Sequence, residues 1–147
     1  MKETKKSANW YIAATHLLTA GIAPPFLVNI VVNIIVRSLN ITSLIILYPI
    51  LIISYILAIW LGVLYSANYL KKTYVIENKE AIVNLSSIYL VVGYIALMFI
   101  VIISGRWAGL LWFVLKVVSS IICVALFYFL SMKYVSNTEV STEIQSK

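Results

Sequence analysis

Few side chains in this sequence could do chemistry, and most of them lie inside long apolar segments. The chain contains one histidine and one cysteine, His16 and Cys123, and none of its five carboxylates falls within an apolar segment. A hydrolase needs a nucleophile paired with a base, or a metal ion held by several ligands. One histidine and one cysteine cannot form a protein-only metal site of the usual kind. We therefore predict no enzymatic activity, no metal and no cofactor, and we expect His16 to be neutral and hydrogen-bonded to a neighbouring helix.

Lys116 is the one cation that lies well inside an apolar segment. It is about six residues into the last such segment, roughly 9 Å along a helix. Two interpretations remain open: the side chain follows apolar neighbours out to the lipid headgroups, or it points into a polar cavity. The helix face around it carries small and polar residues, which is typical of a face that contacts protein. That face comprises Gly109, Trp112, Lys116, Ser119, Ser120, Cys123 and Phe127.

A second polar stripe lies on the first apolar segment. It comprises Thr15, Thr19, Ile22, Phe26, Asn29 and Asn33, which share one face of an ideal helix. Asn29 and Asn33 lie at a depth similar to that of Lys116, and so does Tyr48 in the second segment. We therefore expect the part of the first helix that follows Pro24-Pro25 to face the last helix.

These residues together predict a polar site for an anion. A buried ammonium without a counter-charge is costly, and no carboxylate lies in the apolar segments. The counter-charge could be a lipid phosphate, a small anionic solute or the carboxylate of a partner. The candidate site residues are Lys116, Asn29, Asn33, Tyr48, Ser119 and Ser120.

The composition places these residues in a membrane protein. Hydrophobic residues make up 63% of the chain, charged residues 11%, and the mean hydropathy is +1.01. The apolar residues form continuous blocks of about 20, long enough for a helix to cross the hydrocarbon core, without the alternation of a β-barrel. We predict an all-α polytopic protein with four transmembrane helices in an antiparallel bundle. The spans cover about 9–36, 43–66, 82–104 and 110–134, within a transmembrane domain 9–135.

The remaining segments connect or flank these spans. The first helix should be kinked at Pro24-Pro25, because a proline cannot donate to the carbonyl four residues earlier. Residues 1–8 form a basic cytoplasmic head, and residues 136–147 form a polar cytoplasmic tail that we expect to be disordered. In the polar loop 67–81, Asn78 should cap the next helix, with Glu80 in its first turn.

Small residues recur every four positions along the second span. They are Ser54, Ala58, Gly62 and Ser66. Such a stripe lets a neighbouring helix backbone approach closely. We predict a helix contact along it, either within the bundle or between subunits.

The basic residues predict the orientation. Eight lysines lie in the head, the loop between spans two and three, and the end of the chain, whereas the two opposite connectors hold only Arg37 and Arg106. The lysines are Lys2, Lys5, Lys6, Lys71, Lys72, Lys79, Lys133 and Lys147. Because basic residues prefer the cytoplasmic side, both termini should be cytoplasmic. The net charge of +6 therefore indicates topology and not nucleic-acid binding, and the high content of Ile, Lys, Asn and Tyr is typical of a microbial cytoplasmic membrane protein.

Two classes of function fit this sequence. The first is a small non-catalytic accessory or interaction subunit, which associates with copies of itself or with a larger membrane complex. An immunity- or defence-linked membrane protein has the same appearance. The alternative is a minimal oligomeric transporter, channel or flippase for an anionic solute or a lipid-linked phosphate. In either class, membrane lipids are expected partners.

Overall fold

The computed structural model describes residues 7–40, 44–104 and 110–137, and these residues are almost entirely helical. The helices are α1 (Asn9–His16), a π-helical segment (Leu17–Ile22), α2 (Ala23–Ser38), α3 (Leu44–Thr73), α4 (Lys79–Ile103) and α5 (Leu110–Tyr134). The first three are continuous and form span one, Asn9–Ser38, while α3, α4 and α5 provide spans two, three and four. All four spans are long and apolar enough to cross a membrane. The predicted all-α fold of an integral membrane protein with four spans is therefore confirmed.

The spans alternate in direction, and each packs against two neighbours. Span one contacts spans two and three, and span four contacts the same two spans from the opposite side. We call the end where the chain enters span one and leaves span four the termini end, and the opposite end the connector end. The halves of the bundle next to these ends are called the termini half and the connector half.

The buried core lies in the termini half. A cluster around Ile12, Leu70, Ile82 and Val135 brings together the ends of all four spans. A second cluster, around Ala20, Val63, Leu90 and Phe127, continues the core towards the middle. Beyond Ala58 and Cys123, Val32 is the one buried side chain among those that the structure describes.

The connector half is correspondingly open. There α2 packs along α3, and it makes no comparable contact with α4 or α5. The described part of the bundle is therefore closed near the termini end and separates towards the connector end.

The predicted break in span one takes the form of the π-helical segment directly before the prolines. The backbone N–H of Ala23 donates to the carbonyl of Leu18, five residues earlier instead of four. The α-helix then restarts at Ala23, so that Pro24 and Pro25 fall in its first turn, where a missing N–H costs little. The wider turn accommodates both prolines without ending the span.

Two helix boundaries differ from the predicted spans by three residues or more. Span two continues as a helix to Thr73, because Ala67 and Leu70 extend its buried face by two more turns. Span three begins at Lys79. The non-helical segment between spans two and three is therefore 74–78, which is shorter than the predicted loop 67–81.

The start of span three is capped as the sequence predicted. The Asn78 side chain accepts a hydrogen bond from the backbone N–H of Ala81 at 3.0 Å, and Glu80 lies in the first turn. In addition, the Asn137 side chain accepts from the backbone N–H of Lys79 at 2.8 Å. Most of the predicted head and tail, residues 1–6 and 138–147, lies outside the described residues.

Candidate functional site

A cavity of about 310 Å³ lies in the connector half, next to the prolines of span one. Spans one, three and four contribute most of its lining, and Tyr55 of span two contributes one wall. Four of the six predicted site residues line it, and these are Asn29, Lys116, Ser119 and Ser120. Apart from Lys116, the lining holds no charged residue.

Lys116 is half-buried and faces this cavity. Of the two interpretations left open by the sequence, this position in the lining favours the one in which the lysine points into a polar cavity. The neighbouring Cys123 lines the same cavity, two turns further along span four, as the shared helix face predicts. Of the other members of that face, Phe127 is buried in the core, and Gly109 lies outside the described residues.

Asn33 orients Asn29 towards the cavity without lining the cavity itself. The Asn33 amide nitrogen donates to the backbone carbonyl of Asn29 at 2.8 Å and to the Asn29 side-chain oxygen at 2.9 Å. Since the backbone carbonyl can only accept, the Asn33 atom must be the NH₂ group, and the Asn29 atom beside it must be the oxygen. The NH₂ group of Asn29 is thereby left as a hydrogen-bond donor at the cavity.

The serine hydroxyls of the site are bonded to their own helix. Ser119 donates to the carbonyl of Leu115 at 2.8 Å, and Ser120 donates to the carbonyl of Lys116 at 2.9 Å. Tyr48 and Ser119 lie 3.3 Å apart, oxygen to oxygen. Because the Ser119 proton is already used, Tyr48 is the donor of that bond. Tyr48 therefore connects span two to the wall of the cavity without lining it.

A second polar cluster, centred on the fully buried side chains of His16, Ser66 and Ser131, lies in the termini half. The His16 ring bonds Ser66 through Nδ1 and Ser131 through Nε2, each at 2.8 Å. Thr19 lies 2.7 Å from the Ser66 hydroxyl and 2.7 Å from the carbonyl of Thr15. These bonds join spans one, two and four, which agrees with the expectation that His16 bonds a neighbouring helix.

Both ring nitrogens have a hydroxyl partner, so a neutral ring is satisfied with one nitrogen donating and the other accepting. Thr19 donates to the Ser66 hydroxyl, which links this bond to the ring. The Phe127 ring covers His16 with centroids 5.1 Å apart.

Sequence reasoning missed Ser131 as the second partner of His16. The predicted polar face of span four ends at Phe127, and Ser131 lies one turn beyond it on the same side. Extending that face by one turn would have identified it.

The small-residue stripe of span two contacts span one within the same chain. Ala58, Gly62 and Ser66 are buried, and Ser54 is half-buried. A Cβ atom built on Gly62 would lie 2.7 Å from the Pro24 ring and 2.9 Å from the Ala20 carbonyl oxygen. Gly62 is thus the place where span two receives the irregular turn of span one.

A larger groove of about 670 Å³ runs between spans three and four in the connector half. Its lining is almost wholly apolar and includes Val91, Phe99, Val117 and Ala125. The Ser87 hydroxyl at the end nearer the termini is buried and has no hydrogen-bond partner among the described residues. Of the predicted site residues, Ser120 alone lines this groove.

No protein-family model, no curated protein and no solved structure matches this chain.

Proposed function

We propose that this chain is a non-catalytic integral membrane protein that binds an anionic group in the cavity beside Lys116. The observation that carries the proposal is the combination of that cation with an oriented amide donor, Asn29, in a cavity whose lining holds no carboxylate. An ammonium in a setting of low dielectric constant attracts an anion more strongly than it does in water. In such a role the protein acts as an accessory subunit and not as an enzyme.

The cavity supports binding better than passage of a solute through a single chain. Leu90 and Cys123 line it on the termini side and belong to the same buried cluster as Phe127. That packed cluster leads into the fully buried contacts around His16. A bound group can therefore enter from the open connector half and meets closed packing beyond.

We also propose that both termini are cytoplasmic, which puts the cavity in the outer half of the membrane. The support for this is the distribution of lysines described above, together with Arg37 in the last turn of α2 and Arg106 in the connector after span three. The helical extension of span two carries Lys71 and Lys72 in its last turn, at the termini end.

The test is to measure anion binding by the purified full-length protein and by Lys116→Gln. The probes are dioleoyl phosphatidic acid and inorganic phosphate, measured separately by native mass spectrometry and by calorimetry. Loss of one charge-assisted hydrogen bond of about 1.5–3 kcal/mol should weaken binding roughly 10- to 150-fold. Lys133→Gln is the matched control, because Lys133 lies on the same helix but is exposed at the termini end.

The proposal requires that at least one anionic probe binds to the wild-type protein and to Lys133→Gln alike. If Lys116→Gln binds both probes as well as the wild type does, the cavity is not an anion site.

A further inference from the structure

We infer that the anion is the headgroup of a membrane lipid whose acyl chain lies in the apolar groove between spans three and four. This inference rests on the proposed function, since it names the class of ligand that the polar cavity takes. The ligand class is an amphiphile with a phosphate group and at least one hydrocarbon chain.

The first argument is the way into the cavity. The cavity is lined by Phe26 and Asn29 of span one and by Gly93 and Leu97 of span three, and α2 makes no extensive contact with α4. Gly93 has no neighbouring atom within 4 Å of the position of a Cβ. The gap between spans one and three therefore opens sideways, towards the hydrocarbon region that surrounds the bundle.

The depth of Lys116 favours a ligand that comes through this gap. The lysine lies about 9 Å along its helix from the start of span four. A soluble anion would lose most of its hydration to reach that depth. A lipid moves within the bilayer and brings its phosphate to the gap while its chain stays in an apolar setting.

The second argument is that the polar cavity and the apolar groove are adjacent. Tyr94 of span three and Ser120 of span four line both. A ligand that occupies both spaces would therefore pass beside this pair of residues. The polar cavity complements a charged head, and the groove, lined almost wholly by apolar atoms, complements a hydrocarbon chain.

The two volumes support a ligand with two chemically different parts. The polar cavity alone, at about 310 Å³, is at the lower limit of ordinary ligand sites. The groove adds about 670 Å³. A small anion would leave this groove without a role, whereas a lipid uses both parts.

The experiment fills the groove and leaves Lys116 unchanged. Ala125→Phe places a ring in the groove from span four, and Val91→Phe does so independently from span three. Ala96→Phe is the matched control, because Ala96 is exposed on span three and lines neither the groove nor the cavity. Binding of dioleoyl phosphatidic acid, glycerol 3-phosphate and inorganic phosphate is measured for each full-length variant.

The expected result is that Ala125→Phe and Val91→Phe each weaken binding of the lipid by about tenfold or more. Both variants should bind glycerol 3-phosphate as the wild type does, which also shows that the polar cavity has kept its shape. Ala96→Phe should bind all probes normally. In the wild type, the lipid should bind more tightly than either soluble phosphate.

Two results would overturn the inference. One is lipid binding at wild-type strength in both groove variants, and the other is inorganic phosphate that binds the wild type as tightly as the lipid does. In both cases a loss of binding in Lys116→Gln would leave the proposed anion site standing. The inference and the proposed function therefore fail on different variants.

Discussion

Gly62→Ala tests whether span two is shaped to receive the irregular turn of span one. The added Cβ would lie 2.7 Å from the Pro24 ring carbon and 2.9 Å from the Ala20 carbonyl oxygen. Carbon atoms in good contact are about 3.5–4.0 Å apart, so the two spans would have to separate by about 1 Å. Neither a proline ring nor a backbone carbonyl can rotate away as a flexible side chain can.

The magnitude follows from two opposing terms. Overpacking at a rigid contact costs about 1–3 kcal/mol. Replacing glycine by alanine within a helix gains about 0.5–1 kcal/mol, because alanine loses less backbone entropy on folding. We therefore expect Gly62→Ala to lower the free energy of unfolding by up to about 2.5 kcal/mol, and to be about 1–3 kcal/mol less stable than a glycine-to-alanine change without the close contact.

Two other glycines provide matched controls in the same bundle. A Cβ at Gly93 meets no atom within 4 Å, so Gly93→Ala should keep the helix gain and be neutral or slightly stabilising. At Gly21 the nearest atom is the end of the Leu17 side chain at 3.1 Å, which can move, so Gly21→Ala should fall between the other two.

The assay is reversible unfolding of the purified variants in mixed detergent micelles, with helicity as the readout. The expected order of stability is Gly93→Ala, then Gly21→Ala, then Gly62→Ala. Equal stabilities for Gly62→Ala and Gly93→Ala would refute the close approach of spans one and two.

Three further predictions concern the buried polar groups and the orientation. His16→Phe should destabilise the protein by about 1–3 kcal/mol in detergent unfolding, because it removes the ring partner of the buried Ser131 hydroxyl and leaves Ser66 with Thr19 alone. Adding Ser131→Ala should recover part of the loss, and an unchanged stability would contradict the buried cluster. Ser87→Ala should be neutral or stabilising by up to about 1 kcal/mol, since that hydroxyl has no partner among the described residues. Its control, Ser86→Ala, removes a hydrogen bond to the carbonyl of Val83 and should be destabilising in the same assay. Reporter domains that are active only in the cytoplasm should be active when fused to either terminus, and activity at neither would reverse the proposed orientation.

The number and class of the spans could be predicted from the sequence, because both depend on local properties. A block of about 20 apolar residues must satisfy its backbone as a helix in lipid, whatever its neighbours are. The position of the break in span one was equally predictable, since the missing N–H of a proline acts within its own turn. The angular spacing of Lys116, Ser119 and Ser120 likewise placed them on one face.

The arrangement of the spans was less accessible to sequence reasoning. Helical periodicity shows which face is polar, but not which helix that face contacts or how far two helices diverge. The expectation that Asn29 lies near span four agrees with the cavity, whereas Asn33 is exposed and serves Asn29 instead. The groove between spans three and four could not be foreseen, because its apolar lining resembles any lipid-facing helix surface in the sequence.

The π-helical segment has a consequence for deletions in span one. A turn with five-residue hydrogen bonds contains one residue more than an α-helical turn. Deleting a single residue between Leu17 and Ile22 would let the turn close with four-residue bonds, and α2 would keep nearly the same face towards the cavity. Deleting a residue between Phe26 and Asn29, in regular α-helix, would instead turn Asn29 by about 100°. His16 would keep its partners in that case, but Asn29 would leave the wall that it shares with Lys116. A deletion after the prolines would therefore separate the stability of the protein from its ligand site.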